Sequence, residues 1–313
     1  ETLIKRIEKE IIRDLGRVYS QVQDEENLID ALCAVNEITG EKLILIIDEW
    51  DAMFRECKGQ DKILDSYILL LRSLFKSSLT DQLFAGVYMT GILPIKKYGH
   101  ESAVSDFYEY TMVDPRPLQE YIGSTEAEVK ALCRKHHKEY MLMQQWYDGY
   151  CVGGIHVYNP KSVMESILRN KFSSYWTKTE TYEALRNYID MNFDGLKDSV
   201  IDMLGGALCE VDTGSFQNDM TSMKSKDDVL TLLIHLGYLA YDEEKQTVGI
   251  PNVEIRQEFV RAIKNGNRTE LMKAIQRSDD ILQATWNREG DIVAELINEI
   301  HDEDRSSLFY NNE

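Results

Sequence analysis

The sequence predicts an α/β protein: a parallel, doubly wound sheet first, then a helical region, then a unit made of a helix and a hairpin. Two aliphatic runs, Leu43 to Ile47 (LILII) and Leu83 to Met89 (LFAGVYM), read as strands buried on both faces. Between them, residues 61–77 (DKILDSYILLLRSLFKS) have helical periodicity, and strand, helix, strand at those lengths is a crossover between parallel strands. Residues 226–250 give a helix, Gly237, a short strand (YLAY), an acidic turn (DEEKQ) and a second strand (TVGI), the pattern of a winged-helix-like unit.

Each element has a local reason. Residues 1–36 read as helix in at least two pieces, with Leu3, Ile4, Ile7, Ile11 and Ile12 on one face. A third, weaker strand is expected around Tyr108 to Val113. Thr125 with Glu128 forms a capping box for a helix reaching about Tyr140, and Asn159-Pro160 is a cap followed by proline at the first helical position. Further helices are expected at 180–190, 196–204 and 226–236, and again over 252–285. The expected division is 1–120 for the α/β region, 121–215 for the helical region, 216–265 for the winged-helix-like unit and 266–313 for a helical linker. The last residues, NNE, close no element, so the C-terminus reads as a cut.

Composition narrows the function classes. The net charge is −19, from 35 Lys and Arg against 54 Asp and Glu, which works against generic nucleic-acid binding. Hydrophobic residues make up 43% of the chain, too many for a disordered protein. No window is apolar enough for a membrane span, and the N-terminal stretch lacks the apolar core of a signal peptide. Five scattered cysteines without a CxxC argue for reduced thiols in a cytoplasm, and against both a disulfide framework and a cysteine zinc site.

The most informative motif is the aliphatic strand that delivers Asp48 and Glu49 at its carboxyl end. In P-loop NTPases an aspartate in this position holds Mg²⁺ through its water shell, and an adjacent glutamate orients or deprotonates the attacking water. Strand carboxyl ends line the ligand crevice of such sheets, which is why the chemistry needs the acids there. The competing reading has two acids ending a strand and starting a solvated loop. Asp51 either assists the metal shell or caps the following segment. Thr90 closes the second strand, where a hydroxyl either senses the γ-phosphate or satisfies the turn before Gly91. Lys96, Lys97 and Arg116 are candidate phosphate contacts, with surface solvation as the alternative for each.

Other chemistry is poorly represented. The glycine-rich loop GxxxxGK[ST] occurs nowhere in these residues, so the chain as given is expected to turn over no ATP. The six histidines show no HExxH or paired ligand spacing. Acid-x-Lys occurs at Glu56, Glu128 and Glu243, about as often as composition alone produces it. The aromatic text WYDGY (146–150) with VYNP (157–160) is either a ligand-stacking platform or a packed turn in which Gly149 relieves strain.

With these residues assembled, the chain resembles the bacterial AAA-ATPase-like family, whose members usually carry a C-terminal PD-(D/E)XK nuclease-like domain. The resemblance rests on LILIIDEWD (43–51), Met89-Thr90-Gly91, WYDGY, VYNP, Tyr175-Trp176, LGYLAY (236–241) and GIPNVEIRQEF (249–259), in the family's order over about residues 28–265. It implies a partial P-loop NTPase fold, ATP and Mg²⁺ as cofactors, and an ATP-driven switch for an attached nuclease-like module. On it, Asp48 becomes the Mg²⁺-holding acid, Glu49 the water-activating acid and Thr90 a sensor. It also implies a phosphate loop before Glu1 and a nuclease core after Glu313, with nucleic-acid contact through that domain; protein partners are expected, separately, through the helical region. Two alternatives stand beside it. One is an inactive NTPase-fold scaffold for protein–protein interaction. The other is a nucleic-acid-binding winged helix, whose wing, DEEKQ, would repel phosphate.

Overall fold

A computed structural model describes residues 3–57, 59–92, 107–176, 193–216, 223, 225–264, 277 and 280–298. The chain divides into two compact units, the first Glu1–Thr111 and the second Met112–Phe216 with Met223–Glu313. The helix expected over 180–190 lies outside the described residues, as do Lys96 and Lys97.

The first unit opens with α1 (Leu3–Val18), a short 3₁₀ turn and α2 (Leu28–Thr39). Asn27 starts α2 by accepting the Asp30 amide at 2.9 Å, and Gly40 ends it in a left-handed conformation. Of the apolar residues placed on one face of α1, Ile4 and Ile12 are buried, whereas Leu3 and Ile11 stay 41% and 39% exposed. The aliphatic runs form β1 (Leu43–Ile47) and β2 (Phe84–Met89), paired in parallel with Ile47 opposite Met89. Between them lie α3 (Ala52–Glu56), α4 (Asp61–Phe75) and the one-turn α5 (Thr80–Leu83). The expected crossover is present.

Two expectations for this sheet need correction. Among the described residues, only one face is covered. Leu43, Leu45, Ile47, Val87 and Met89 pack on the core formed by Ile4, Ile12, Val35, Leu71 and Leu74, while Ile44 and Ile46 are 73% and 68% exposed. Strand alternation sends every second side chain to the opposite face, and the described helices pack on the first face alone. The third strand near Tyr108 to Val113 does not form: those residues have no regular structure and Tyr108 is 90% exposed. The run is aromatic, but it buries too little to hold a place in a sheet.

Among its described residues, the second unit has two small antiparallel sheets. β3 (Ser124–Thr125), β5 (Ile155–Tyr158) and β4 (Tyr150–Val152) lie in the order β3-β5-β4. The β4–β5 hairpin was not anticipated. Its two-residue turn is Gly153-Gly154, both with positive φ, which suits the twist of the flanking strands. The capping box of Thr125 and Glu128 opens α6, but α6 (Glu126–Lys135) stops short of Tyr140, which begins α7 (Tyr140–Tyr147). α8 (Pro160–Arg169) follows its Asn159 cap, and α9 spans Leu196–Leu204 as expected. α10 (Lys226–His235) leads into β7 (Ala240–Asp242) and β8 (Thr247–Gly249), with β6 (Cys209–Glu210) pairing on the far side of β8. α11 covers Val253–Lys264, and residues 280–286 and 290–298 are helical. One core gathers Val129, Cys133, Met143, Tyr147, Tyr158, Val163 and Ile167, and burial of each such aliphatic or aromatic side chain is worth about 1.5–3 kcal/mol.

Candidate functional site

The carboxyl ends of β1 and β2 bring three of the candidate residues side by side in the first unit. Pairing continues past the strands, with the Thr90 amide donating to Ile47 O at 2.9 Å and the Trp50 amide to Thr90 O at 2.8 Å. The turn Asp48 to Asp51 is thereby fastened to the end of β2. Trp50 turns inward, stacks edge-on against Phe54 at 5.4 Å and takes its place in the core. Its carbonyl accepts the Tyr67 hydroxyl at 2.9 Å. Burial, with the charge of Asp51 adding to it, pushes the Tyr67 phenol up to about 12. Gly91 makes room for this arrangement: a Cβ there would lie 2.5 Å from Trp50 Nε1 and 2.9 Å from Asp51 Oδ1.

Asp48, Glu49 and Thr90 come together at this turn. The Thr90 hydroxyl donates to Asp48 Oδ1, and the Glu49 amide lies 3.1 Å from Asp48 Oδ1 and 3.3 Å from Thr90 Oγ1. Glu49 has a left-handed backbone (φ 50°), which costs a non-glycine residue on the order of 1 kcal/mol. Both carboxylates face solvent. An exposed aspartate beside a hydroxyl fits Mg²⁺, a hard cation that keeps much of its water and takes few protein ligands. Asp48 would hold it, with Thr90 fixing the carboxylate. Among the described residues no group of three or more His, Cys, Asp or Glu side chains forms a metal cluster.

The other described candidates have partners of their own. Asp51 is buried, and its Oδ1 accepts the Ile92 amide at 3.3 Å, which makes it an internal fastening of the turn. Arg116 belongs to the second unit, where its Nη2 pairs with Glu243 Oε1 at 2.9 Å. Two of the acid-x-Lys matches are engaged in local pairs: Glu128 caps α6, Lys130 pairs with Glu126 at 2.7 Å, and Lys245 pairs with Asp242 at 2.6 Å. The WYDGY text is a packed turn. Tyr147 and Tyr150 are buried with their hydroxyls on Ser173 O and Gly237 O, and a Cβ on Gly149 would lie 2.1 Å from Pro251 O.

Sequence reading passed over Arg55, whose guanidinium reaches Glu49. Its signal was the four-residue spacing from Asp51 within a short helix, which looks like an ordinary surface pair. It also passed over Glu254, whose Oε1 accepts from Ser162 Oγ at 3.0 Å and from the amides of Tyr175 and Trp176 at 2.6 and 3.1 Å. No helix among the described residues is long and apolar enough to cross a membrane.

No curated protein and no solved structure matches the chain. Residues 1–100 match the family model described as Predicted AAA-ATPase, which supports an AAA-ATPase-like family, and with it an ATPase-like function and use of nucleotide and Mg²⁺, for the part of the chain that carries the acidic turn.

Proposed function

We propose that the first unit belongs to an ATP-hydrolysing switch, with Asp48 as the Mg²⁺-holding acid, Glu49 as the residue that activates water and Thr90 as the sensor of the γ-phosphate. The observation that carries this is the junction of Thr90 with Asp48 at the ends of two adjacent parallel strands. Ligands of such sheets sit at the strands' carboxyl ends. A solvated loop would not need a hydroxyl from the neighbouring strand to fix its first carboxylate. The family match over residues 1–100 supports the same reading. ATP is the nucleotide we assign, and the switched module is a nuclease-like domain, an assignment that follows from the resemblance.

The test uses the full-length protein. Glu49→Gln keeps the shape of the side chain but cannot take a proton from water, so hydrolysis should fall by about 10²–10⁴-fold with nucleotide binding retained. Asp48→Ala removes a group that touches the metal shell in ground and transition states alike, so binding of Mg-nucleotide should weaken as well. Titration of a fluorescent ATP analogue beside a phosphate-release assay reads both. Unchanged binding and turnover in both variants would leave the acids as loop solvation and favour a scaffold.

A further inference from the structure

One charged side chain at the acidic turn has no role in the strand motif. Arg55, on α3, lies between Glu49 and Asp51. Its Nη2 donates to Glu49 Oε2 at 2.8 Å, and its Nε lies 3.3 Å from Asp51 Oδ2, close as an ion pair though not aligned as a hydrogen bond. The three side chains form a gradient of exposure: Asp51 2%, Arg55 23%, Glu49 64%. Asp51 is the fixed end, because it is buried and also accepts the Ile92 amide. Glu49 is the exposed end. An exposed glutamate has several side-chain rotamers to lose on ordering, and each rotamer carries its carboxylate to a different place. The Glu49 backbone is also held at a positive φ that a glutamate seldom adopts. The guanidinium restrains one oxygen of Glu49, Oε2, and no described contact takes Oε1.

We propose that Arg55 is the positioning residue of this site, transmitting the rigidity of buried Asp51 to Glu49 so that one carboxylate oxygen is held while the other faces the attacking water. The inference rests on the ATPase reading of Glu49 given above. A positioned base gains because its reacting geometry is fixed before the reaction, and displacement by about 1 Å can cost a hundredfold. Arg55 itself touches neither nucleotide nor water in this scheme. Its effect on turnover should therefore exist only while Glu49 is there to be positioned.

Steady-state phosphate release by the full-length protein tests this with four variants: Glu49→Gln, Arg55→Met, Arg55→Lys, and Glu49→Gln with Arg55→Met. Arg55→Met should lower kcat by about tenfold and leave the KM for ATP within about twofold, with the thermal midpoint recording that the variant folds. Arg55→Lys, which keeps a charge but offers a single nitrogen, should recover part of the loss. In the Glu49→Gln background, Arg55→Met should cause no further loss. An undiminished kcat in Arg55→Met, a loss carried in KM, or an equal further loss in the Glu49→Gln background would overturn the positioning role while leaving Glu49 as the base. If Glu49→Gln itself turns over like the wild type, or the wild type shows no turnover, the ATPase reading falls and the inference falls with it.

Discussion

Glu254 is held inside the second unit by three donors on one carboxylate oxygen, two of them backbone amides of Tyr175 and Trp176. Those bonds favour the charged form, yet burial outweighs them, and the neighbouring Glu258 adds to it, so the group titrates above the ordinary glutamate value of 4.5. The sign follows directly. Where the folded chain holds a proton that the unfolded chain has released, stability falls as pH rises, from about the unfolded value up to the raised folded one, and is flat beyond it. Glu254→Gln retains an oxygen for the three donors and does not titrate. Its stability relative to wild type should therefore climb with pH across that interval and then level off, as urea unfolding from pH 4 to 8 would show. Parallel stability curves for the two proteins would mean that Glu254 titrates as it does in the unfolded chain. The position was invisible in the sequence because an acid in NVEIRQEF reads as the solvent face of a helix. Only the tertiary fold brings the segment around Tyr175 onto it. Arg55 was missed because its four-residue spacing from Asp51 reads as an ordinary surface pair, whereas Asp48, Glu49 and Thr90 were legible because strand ends carry their own local pattern.

At the scale of elements, what could be read in advance was whatever local residues decide. LILII and FAGVYM are β-rich runs with turn signals around them, and both became strands in the expected parallel pair. The caps at Thr125 and Asn159 were equally local, because each side chain satisfies an amide only three residues away. The exposure of Ile44 and Ile46 was not readable, since it depends on which helices arrive at which face. Nor were β3 and β6, two-residue strands that exist only because a neighbouring hairpin offers free backbone groups. The capping box allows a quantitative test. Thr125 Oγ1 accepts the Glu128 amide at 3.4 Å, and Glu128 Oε2 in return accepts the Thr125 amide at 2.8 Å and its hydroxyl at 2.9 Å. Those bonds from Thr125 hold the Glu128 carboxyl below its ordinary value. Thr125→Ala should cost about 1 kcal/mol in chemical denaturation, whereas Thr125→Ser should stay near wild type. Equal stability of all three would show that the start of α6 is held by β3 pairing rather than by its cap.

Over the whole molecule, charge is the dominant physical property. The chain carries −19 in 313 residues, and many of its cations are already committed to neighbouring acids: Arg6 to Glu10, Arg17 to Asp14, Arg116 to Glu243 and Lys245 to Asp242. The last two pairs occupy the cations beside the acidic turn between β7 and β8, which would have to meet phosphate if that hairpin served as a nucleic-acid-binding wing. Exposed pairs of this kind are worth about 0–1 kcal/mol each, so salt has little to remove by screening them. The excess negative charge is different, because it repels itself over the whole surface and compacting the chain brings it closer together. Added NaCl shortens the screening length from about 30 Å at 0.01 M to about 3 Å at 1 M, and so relieves the folded state more than the expanded one. The midpoint of thermal unfolding should rise with NaCl, and KCl should act equally, since the effect is screening rather than specific binding. Sucrose matched for osmolality separates this from general exclusion at the surface, because it leaves the ionic strength unchanged. A midpoint that falls with NaCl would place the electrostatic stability in the local pairs instead, and charge-reversing Glu243 or Asp242 would then be the more damaging change.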